Sequence, residues 1–155
     1  MSVSVQQADF DVGAEIAALS QGRFDVGAVA SFVGLVRGAG GESDVSAMTL
    51  EHYPGMTEKA LEEIVDAASE RWNLLGCRVI HRFGRLVPGD RIVFVGVASA
   101  HRGEAFAACE FVMDYLKTQA PFWKLEETPE GANWVDARES DDSSAARWDD
   151  VEMRR

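Results

Sequence analysis

The stretch RIVFVGVASAHRGEAFAACEFVMDYLKTQAP, residues 91–121, decides the fold. Its first nine residues are apolar and rich in β-branched side chains, which predicts a strand over 91–99 that is covered on both faces. Apolar side chains then recur at spacings of three and four, which predicts an amphipathic helix over Gly103–Thr118 that is stopped by Pro121. This apolar stripe comprises Phe106, Cys109, Met113 and Leu116.

Further elements are predicted on both sides of this strand and helix. A helix over 12–21 has Asp11 as its N-cap and ends at Gly22, and a second amphipathic helix covers 57–73. The polar tail after Ser140 is expected to be loose. Runs rich in β-branched and aromatic residues predict strands. They lie at 28–37, 46–53 and 77–83, with a hairpin formed by 122–127 and 132–137.

The composition indicates a globular chain and excludes several functions. The 155 residues fit one domain of the α/β or α+β class, and 46% of them are hydrophobic, which is enough to bury a core. The net charge of −11 argues against a nucleic-acid surface. No apolar run is long enough to span a bilayer, and no secretory signal is visible. Two cysteines are too few for a disulfide framework, so a cytoplasmic location is expected.

The charge is unevenly distributed along the chain. Residues 78–124 carry a net charge of +3, from seven basic against four acidic side chains, although the whole protein is acidic. The basic residues are Arg78, Arg82, Arg85, Arg91, Arg102, Lys117 and Lys124. Such an island is suited to binding a small anion, and a chance fluctuation is the alternative.

Common cofactor and catalytic motifs are absent from the sequence. The GAGG run at 38–41 follows a strand, but it lacks the spacing of a dinucleotide-binding loop. His52, His81 and His101 are not spaced as metal ligands. Cys109 lies on the apolar stripe, where a cysteine serves as a small hydrophobe. We therefore expect neither a metal nor a bound cofactor.

Cations stand at the ends of predicted elements. Arg37 closes a strand, while His101 and Arg102 precede a helix whose N-terminus attracts anions. Lys117 ends that helix, and a strand after the break could return Lys124 towards it. Two neighbouring lysines would lower each other's pKa, so that one amine becomes available for proton transfer or nucleophilic attack.

Each of these residues also has a purely structural interpretation. Lys117 could complement the helix dipole, Arg102 could form a surface ion pair, and His101 could cap the helix. Trp123 and Trp134 are more often core residues than stacking platforms. The spacing alone does not decide between these interpretations.

Six phrases of the sequence together resemble the large, catalytic subunit of molybdopterin synthase. They follow one another from about Phe32 to Ser140, which covers most of the chain and is more specific than any single motif. The phrases are FVGLVRG (32–38), LEHYPGMTEKAL (50–61), VIHRFGRLVPGD (79–90), SAHRGEAF (99–106), MDYLKTQAPFWKLE (113–126) and NWVDARESD (133–141).

The resemblance implies a sulfurtransferase of molybdenum-cofactor biosynthesis. Its substrate would be cyclic pyranopterin monophosphate and its product the dithiolene molybdopterin. The sulfur would come from the C-terminal thiocarboxylate of a small, ubiquitin-like partner subunit. The family forms a homodimer with one small subunit at each end, a heterotetramer. Its fold is an α/β hammerhead with an additional antiparallel β-subdomain, which is an α+β arrangement.

The resemblance also implies the positions of the site residues. Lys117 and Lys124 match catalytic positions, with Lys117 as the principal one. Arg138 matches an arginine that comes from the other large subunit. The remaining substrate-binding positions are Arg37, His101 and Arg102, with Phe32 and Met113 as apolar walls. The sequence departs from the family at Leu35 and Leu125, where basic residues are frequent, and in the loop 38–44.

Two other functions remain open at this stage. A non-catalytic module that docks the tail of a ubiquitin-like protein would also need a basic groove with apolar walls, but it would not need a pair of lysines. An unrelated phosphate-ester hydrolase is the second alternative, and no metal or nucleophile motif supports it.

Overall fold

The framework of the chain is a pair of four-stranded β-sheets, with helices packed on one of them. The computed structural model describes residues 1–40, 44–135, 143–146 and 148–149. In chain order the elements are β1 (Ser2–Gln6), α1 (Val12–Ser20), β2 (Ala28–Leu35), β3 (Ala47–His52), α2 (Met56–Arg71), β4 (Leu74–Arg82), β5 (Gly84–Leu86), β6 (Arg91–Ser99), α3 (Arg102–Gln119), β7 (Phe122–Thr128) and β8 (Gly131–Val135). This mixture of helices and strands confirms the α+β prediction.

The first sheet, sheet A, has the strand order β1-β4-β6-β2 and is built around β6. Only the β1–β4 pair among these strands is parallel. Val95 and its neighbours on one face of β6 pack against α2 and α3, while Phe94 on the other face packs with Phe10 and Ile80 beneath α1. Residues 93–99 are all buried, which confirms the prediction of a strand covered on both faces.

The helix α3 folds back over sheet A because only Ala100 and His101 separate it from β6. Its first turn therefore lies at the end of β6 that contains Ser99, and its last turn lies at the end that begins with Arg91. The helix buries Cys109, as predicted, but Phe106 is 65% exposed, so the prediction for Phe106 is wrong. The buried stripe runs through Ala105, Ala108, Val112 and Leu116, and Phe106 is at its margin.

The second sheet, sheet B, is antiparallel throughout, with the order β5-β3-β7-β8. Met48, Leu50 and Leu86 form a small core on its inner face. Trp123 and Trp134 are on the opposite face and are 47% and 60% exposed, so the expectation that they are core residues is wrong. That expectation followed from side-chain size, but here no described element covers the outer face of the sheet.

The tail after Ser140 is not loose where the structure describes it. Trp148 is buried, with its ring centroid 5.7 Å from Trp72 and 5.5 Å from Phe111. Its indole N–H donates a hydrogen bond to Asp114 Oδ2 at 2.7 Å. The polar composition of the tail hid this single aromatic anchor.

Four aromatic rings join the two sheets. Phe122, the first residue of β7, stacks on His81 of β4 with 3.8 Å between ring centroids and 19° between ring planes. The His52 ring lies 6.2 Å from Phe122, and His52 in turn lies 4.4 Å from Phe83. We call Phe83, His52, Phe122 and His81 the ring junction.

The innermost ring of this junction, that of His81, is uncharged. Burial, with smaller contributions from the charges of Lys117 and His52, lowers the pKa of His81 to about 4. A hydrogen bond from Nδ1 to the carbonyl oxygen of Arg82, at 2.8 Å, acts in the opposite direction but is weaker than the effect of burial. At physiological pH the His81 ring is therefore present in the ring junction as a neutral imidazole.

The close approach of Gly27 to the end of β6 gives a first prediction. A methyl group at position 27 would overlap the carbonyl oxygen of Ala100, whereas one at Gly103 would meet no atom within 4 Å. We expect Gly27→Ala to lower the free energy of unfolding by about 1–3 kcal/mol. Gly103→Ala, the matched control inside α3, should be neutral or stabilising by up to about 1 kcal/mol. Urea denaturation measures both, and equal effects would contradict the packing described here.

A second prediction follows from the neutral state of His81. The folded pKa of about 4 lies below the ordinary value of 6.5, so the unfolded chain binds more protons between these values. The free energy of unfolding should therefore fall as the pH falls from 6.5 towards 4, by at most about 1.4 kcal/mol per pH unit from this group. His81→Phe removes this contribution. In urea denaturation of both proteins between pH 7 and pH 4.5, the free energy of unfolding of the unchanged protein should fall relative to that of His81→Phe as the pH falls, and parallel curves would contradict the assignment.

Candidate functional site

Ion pairing separates the basic residues of this acidic protein into two groups. Five arginines have carboxylate partners within 4.0 Å, and these pairs hold the fold together. They are Arg23, Arg78, Arg82, Arg85 and Arg91. Arg37, His101, Arg102 and Lys117 are exposed and form no ion pair with any residue that the structure describes. The surface ion pair considered for Arg102 is therefore absent among the described residues.

Lys117 lies in the last turn of α3, near His81 of the ring junction. Its position follows from the length of α3, which continues unbroken until the C-cap residue Ala120 just before Pro121. Lys117 is close enough to His81 for its charge to lower the pKa of that imidazole. The side chain of Lys117 is exposed to solvent, and its charge reaches the neutral ring of His81.

Lys124 lies on β7, two residues after Phe122 and therefore on the same face of that strand. Its cross-strand neighbours are Leu50 on β3 and Val135 on β8, and its side chain is half-buried. Lys117 is close enough to His81 for its charge to act on that ring, and Lys124 shares a face of β7 with Phe122, which stacks on His81. Both lysines are thus connected to the same pair of stacked rings, and the approach of the two amines stays a prediction.

Arg37 follows β2 at the same end of sheet A as Lys117. The chain there is tied to the turn before β6, because Val36 N–H donates to Asp90 O and Gly89 N–H donates to Val36 O, each at 2.9 Å. Leu35 pairs with Arg91, the first residue of β6, which is the end where α3 finishes. Residues 41–43 of the following loop lie outside the described residues.

Phe32 and Met113 provide apolar surface in the same layer. Phe32 is on the edge strand β2, on the α3 side with Ala30, and is 41% exposed. Met113 is buried on α3 one turn before Lys117. Phe32 is thus an exposed apolar side chain and Met113 a buried one, and their role as walls of a substrate pocket stays a prediction.

His101 and Arg102 lie at the opposite end of α3 from Lys117. Fifteen residues separate Arg102 from Lys117 in one continuous helix, which corresponds to about 22 Å along its axis. His101 is the N-cap residue, but its side chain makes no capping hydrogen bond. One chain therefore does not bring these two cations together with the lysines. Arg138 lies outside the described residues.

Cysteine and metal chemistry find no support in the described residues. Burial raises the pKa of Cys77 to about 12 and that of Cys109 to about 11, so both thiols stay protonated. Among the described residues, no group of three or more His, Cys, Asp or Glu side chains is arranged to hold a metal ion.

Within the same residues, no helix is both long and apolar enough to cross a membrane.

His81 is the residue near the lysines that sequence reasoning passed over. It shares the inner face of β4 with Cys77 and Val79, at alternate positions, and all three are buried. This alternation is visible in the sequence and predicts a buried histidine. The stacking partner Phe122 is 41 residues away, so the contact itself is a property of the tertiary structure.

Comparison with known proteins gives consistent results. The family model described as "MoaE protein" matches residues 5–119. A protein of Ralstonia nicotianae named "Molybdopterin synthase catalytic subunit" is 65% identical over 147 residues, which cover 95% of this chain and 84% of that protein. An Escherichia coli protein of the same name is 61% identical over 139 residues, covering 90% of this chain and 92% of that protein.

Solved structures agree with this. The structure titled "Molybdopterin biosynthesis MoaE protein" from Burkholderia ambifaria has a TM-score of 0.80 and 54% identity, covering 96% of this chain and 98% of that chain. The structure titled as molybdopterin synthase from Staphylococcus aureus has a TM-score of 0.79 and 28% identity, covering 86% of this chain and 96% of that chain. With a family model that matches well over half of its length and with relatives of such identity, the chain belongs to the MoaE family.

Proposed function

We propose that the chain is the catalytic subunit of a molybdopterin synthase. The enzyme would convert cyclic pyranopterin monophosphate to molybdopterin with sulfur from the C-terminal thiocarboxylate of a small, ubiquitin-like subunit. The observation that carries this proposal is the 65% identity to a protein named as a catalytic subunit, and the connection of Lys117 and Lys124 to the same two stacked rings supports it. A cytoplasmic location is part of the same proposal.

The charge of the reactants explains why unpaired cations are needed. The cyclic phosphate of the substrate and the thiocarboxylate of the tail are both anions. In a protein of net charge −11, cations without carboxylate partners are available to bind such groups. Because the sulfur is delivered by the partner, no cysteine of this chain is required for the reaction.

The residues divide into catalytic and binding groups. Lys117 would transfer protons or form a transient covalent link as sulfur adds to the side-chain carbons of the pterin. Lys124 and Arg37 would stabilise the developing negative charge and the thiocarboxylate. His101, Arg102 and Arg138 would hold the phosphate and the pterin. Two sulfur atoms are needed, so a half-sulfurated intermediate would stay bound while one small subunit replaces another.

A complete site of this kind needs two copies of the chain. In one copy, His101 and Arg102 lie about 22 Å from Lys117 along α3, which is too far for both groups to contact one small substrate. We therefore propose that these cations are supplied by a second large subunit, as already expected for Arg138. The assembly would be a homodimer of this chain with a small subunit bound at each end.

The alternative of a non-catalytic docking module leads to a different result in the same assay. A docking module would bind the tail of the small subunit without consuming its sulfur. Formation of the dithiolene, read as an oxidised fluorescent derivative, distinguishes the two functions.

Replacement of Lys117 tests the catalytic assignment. In a reconstitution with thiocarboxylated small subunit and cyclic pyranopterin monophosphate, Lys117→Ala should lower the rate of product formation about 10²–10⁴-fold, because a positioned acid–base group is lost. Lys59→Ala, an exposed lysine on α2, is the matched control and should retain the full rate. Small-subunit affinity, measured by calorimetry, should be unchanged in both. Near-normal turnover by Lys117→Ala would overturn the assignment.

The two-copy site gives a separate prediction. Lys117→Ala chains co-expressed with chains carrying His101→Ala and Arg102→Ala should form mixed dimers in which one site is intact. These dimers, purified through two different tags, should regain activity that neither parent has. Mixed dimers of Lys117→Ala and Lys124→Ala, whose changes fall in the same half of the site, should regain none. Equal behaviour of the two mixtures would contradict a site formed between chains.

A further inference from the structure

We propose that His81 is a positioning residue of the sulfur-transfer site, which supports Phe122 with a flat, uncharged ring and so fixes where β7 places Lys124 relative to Lys117. This inference rests on the proposed function, since it assigns a role within the same site.

The connection between α3 and β7 is short but does not by itself fix the direction of β7. Only Ala120 and Pro121 lie between the two elements, and Phe122 N–H donates a hydrogen bond to Ala120 O at 2.9 Å. A rotation at this connection would swing β7, together with the strands β3 and β8 that pair with it, relative to sheet A. Two residues further on, Lys124 would move with it, away from Lys117.

The side chain of Phe122 opposes this rotation because its ring packs against His81 and lies near His52. His81 stacks on it at 3.8 Å, and β4, which carries His81, is hydrogen-bonded on both edges within sheet A. The ring of His52, the cross-strand partner of Phe122, lies 6.2 Å away. His52 is itself anchored by Thr57, whose Oγ1 is 3.3 Å from His52 Nδ1. The ring junction thus restrains the first residue of β7 by packing it against an inner strand of sheet A.

The imidazole at position 81 must be uncharged for this role. Lys117 is near enough to act on it electrostatically, so a charged ring would repel the catalytic amine that it helps to place. Apart from Lys117, the groups whose electrostatic effect reaches His81 are His52 on β3 and the carbonyl oxygen of Arg82. None of these is a carboxylate that would favour a positive charge.

Variants at position 81 separate positioning from bulk stability. His81→Leu places an apolar side chain in the buried site but removes the flat ring. His81→Phe preserves a flat ring that carries no charge. In the reconstituted complex we expect His81→Leu to lower kcat about 10–100-fold with little change in KM, because small misplacements of catalytic groups have effects of this size. His81→Phe should retain kcat to within about threefold of the unchanged protein, a rescue by the variant that preserves stacking.

Ile80→Ala serves as the control for stability. Ile80 precedes His81 on β4 but packs on the opposite face of sheet A, against Phe10 and Phe94. Its loss should lower the free energy of unfolding without lowering kcat. A kcat loss in Ile80→Ala equal to that of His81→Leu would overturn the inference, as would a His81→Phe variant no more active than His81→Leu.

A cross-linking measurement tests the geometry without any turnover. The chain has three lysines, Lys59, Lys117 and Lys124. The links that the short reagent difluorodinitrobenzene forms between lysines can therefore be assigned to individual pairs by mass spectrometry. The yield of the Lys117–Lys124 link should be similar in the unchanged protein and His81→Phe, and severalfold lower in His81→Leu. Single-site labelling of Lys59 on α2 provides the internal standard.

The two assays have distinguishable failures. If the unchanged protein makes no product, the proposed function fails, while the cross-link yields still report whether His81 sets the spacing of the lysines. If product forms but the cross-link yield is the same in all three proteins, the positioning role is wrong and the proposed function stands.

Discussion

The structure depends on the burial of β6 between two layers of helices. This strand pairs with β4 on one edge and β2 on the other, and residues 93–99 are buried on both faces. Removing so much apolar surface from water is the main source of stability in a chain of this size. Because β6 leads directly into α3, the same burial fixes the axis of α3 and hence the two ends at which its cations stand.

The basic residues differ in whether they form an ion pair within the fold. Arginines that pair with carboxylates, such as Arg78 with Glu15 and Arg91 with Asp9, connect segments distant in the chain. Most of the basic island between residues 78 and 124 consists of such structural pairs, so the island as a whole is not the binding site. Arg37, Arg102 and Lys117 have no carboxylate partner among the described residues although the protein is acidic, so the position of a cation within an element is more informative than the local sum of charge.

The sequence predicted what periodicity controls and failed where tertiary contact decides. The hydrophobic patterns of α2, α3 and β6 predicted these elements with small shifts at their ends. Strands β1 and β5 were missed because they are short and their pairing partners are distant in the chain. Phe106, Trp123 and Trp134 were misassigned because an aromatic side chain does not reveal whether another element covers it. The separation of Arg102 from Lys117, in contrast, follows from helix rise alone and needs only the length of α3.

The burial of both cysteines has a consequence for the handling of reactive sulfur. Cys77 and Cys109 have their pKa raised by burial, so neither presents a thiolate at neutral pH. A thiolate near an incoming thiocarboxylate would be an acceptor for side reactions, such as acyl transfer or mixed disulfide formation after oxidation. Because its own thiols are protonated and buried, the chain offers no competing acceptor for the transferred sulfur atom. The bound substrate would then be the acceptor that remains.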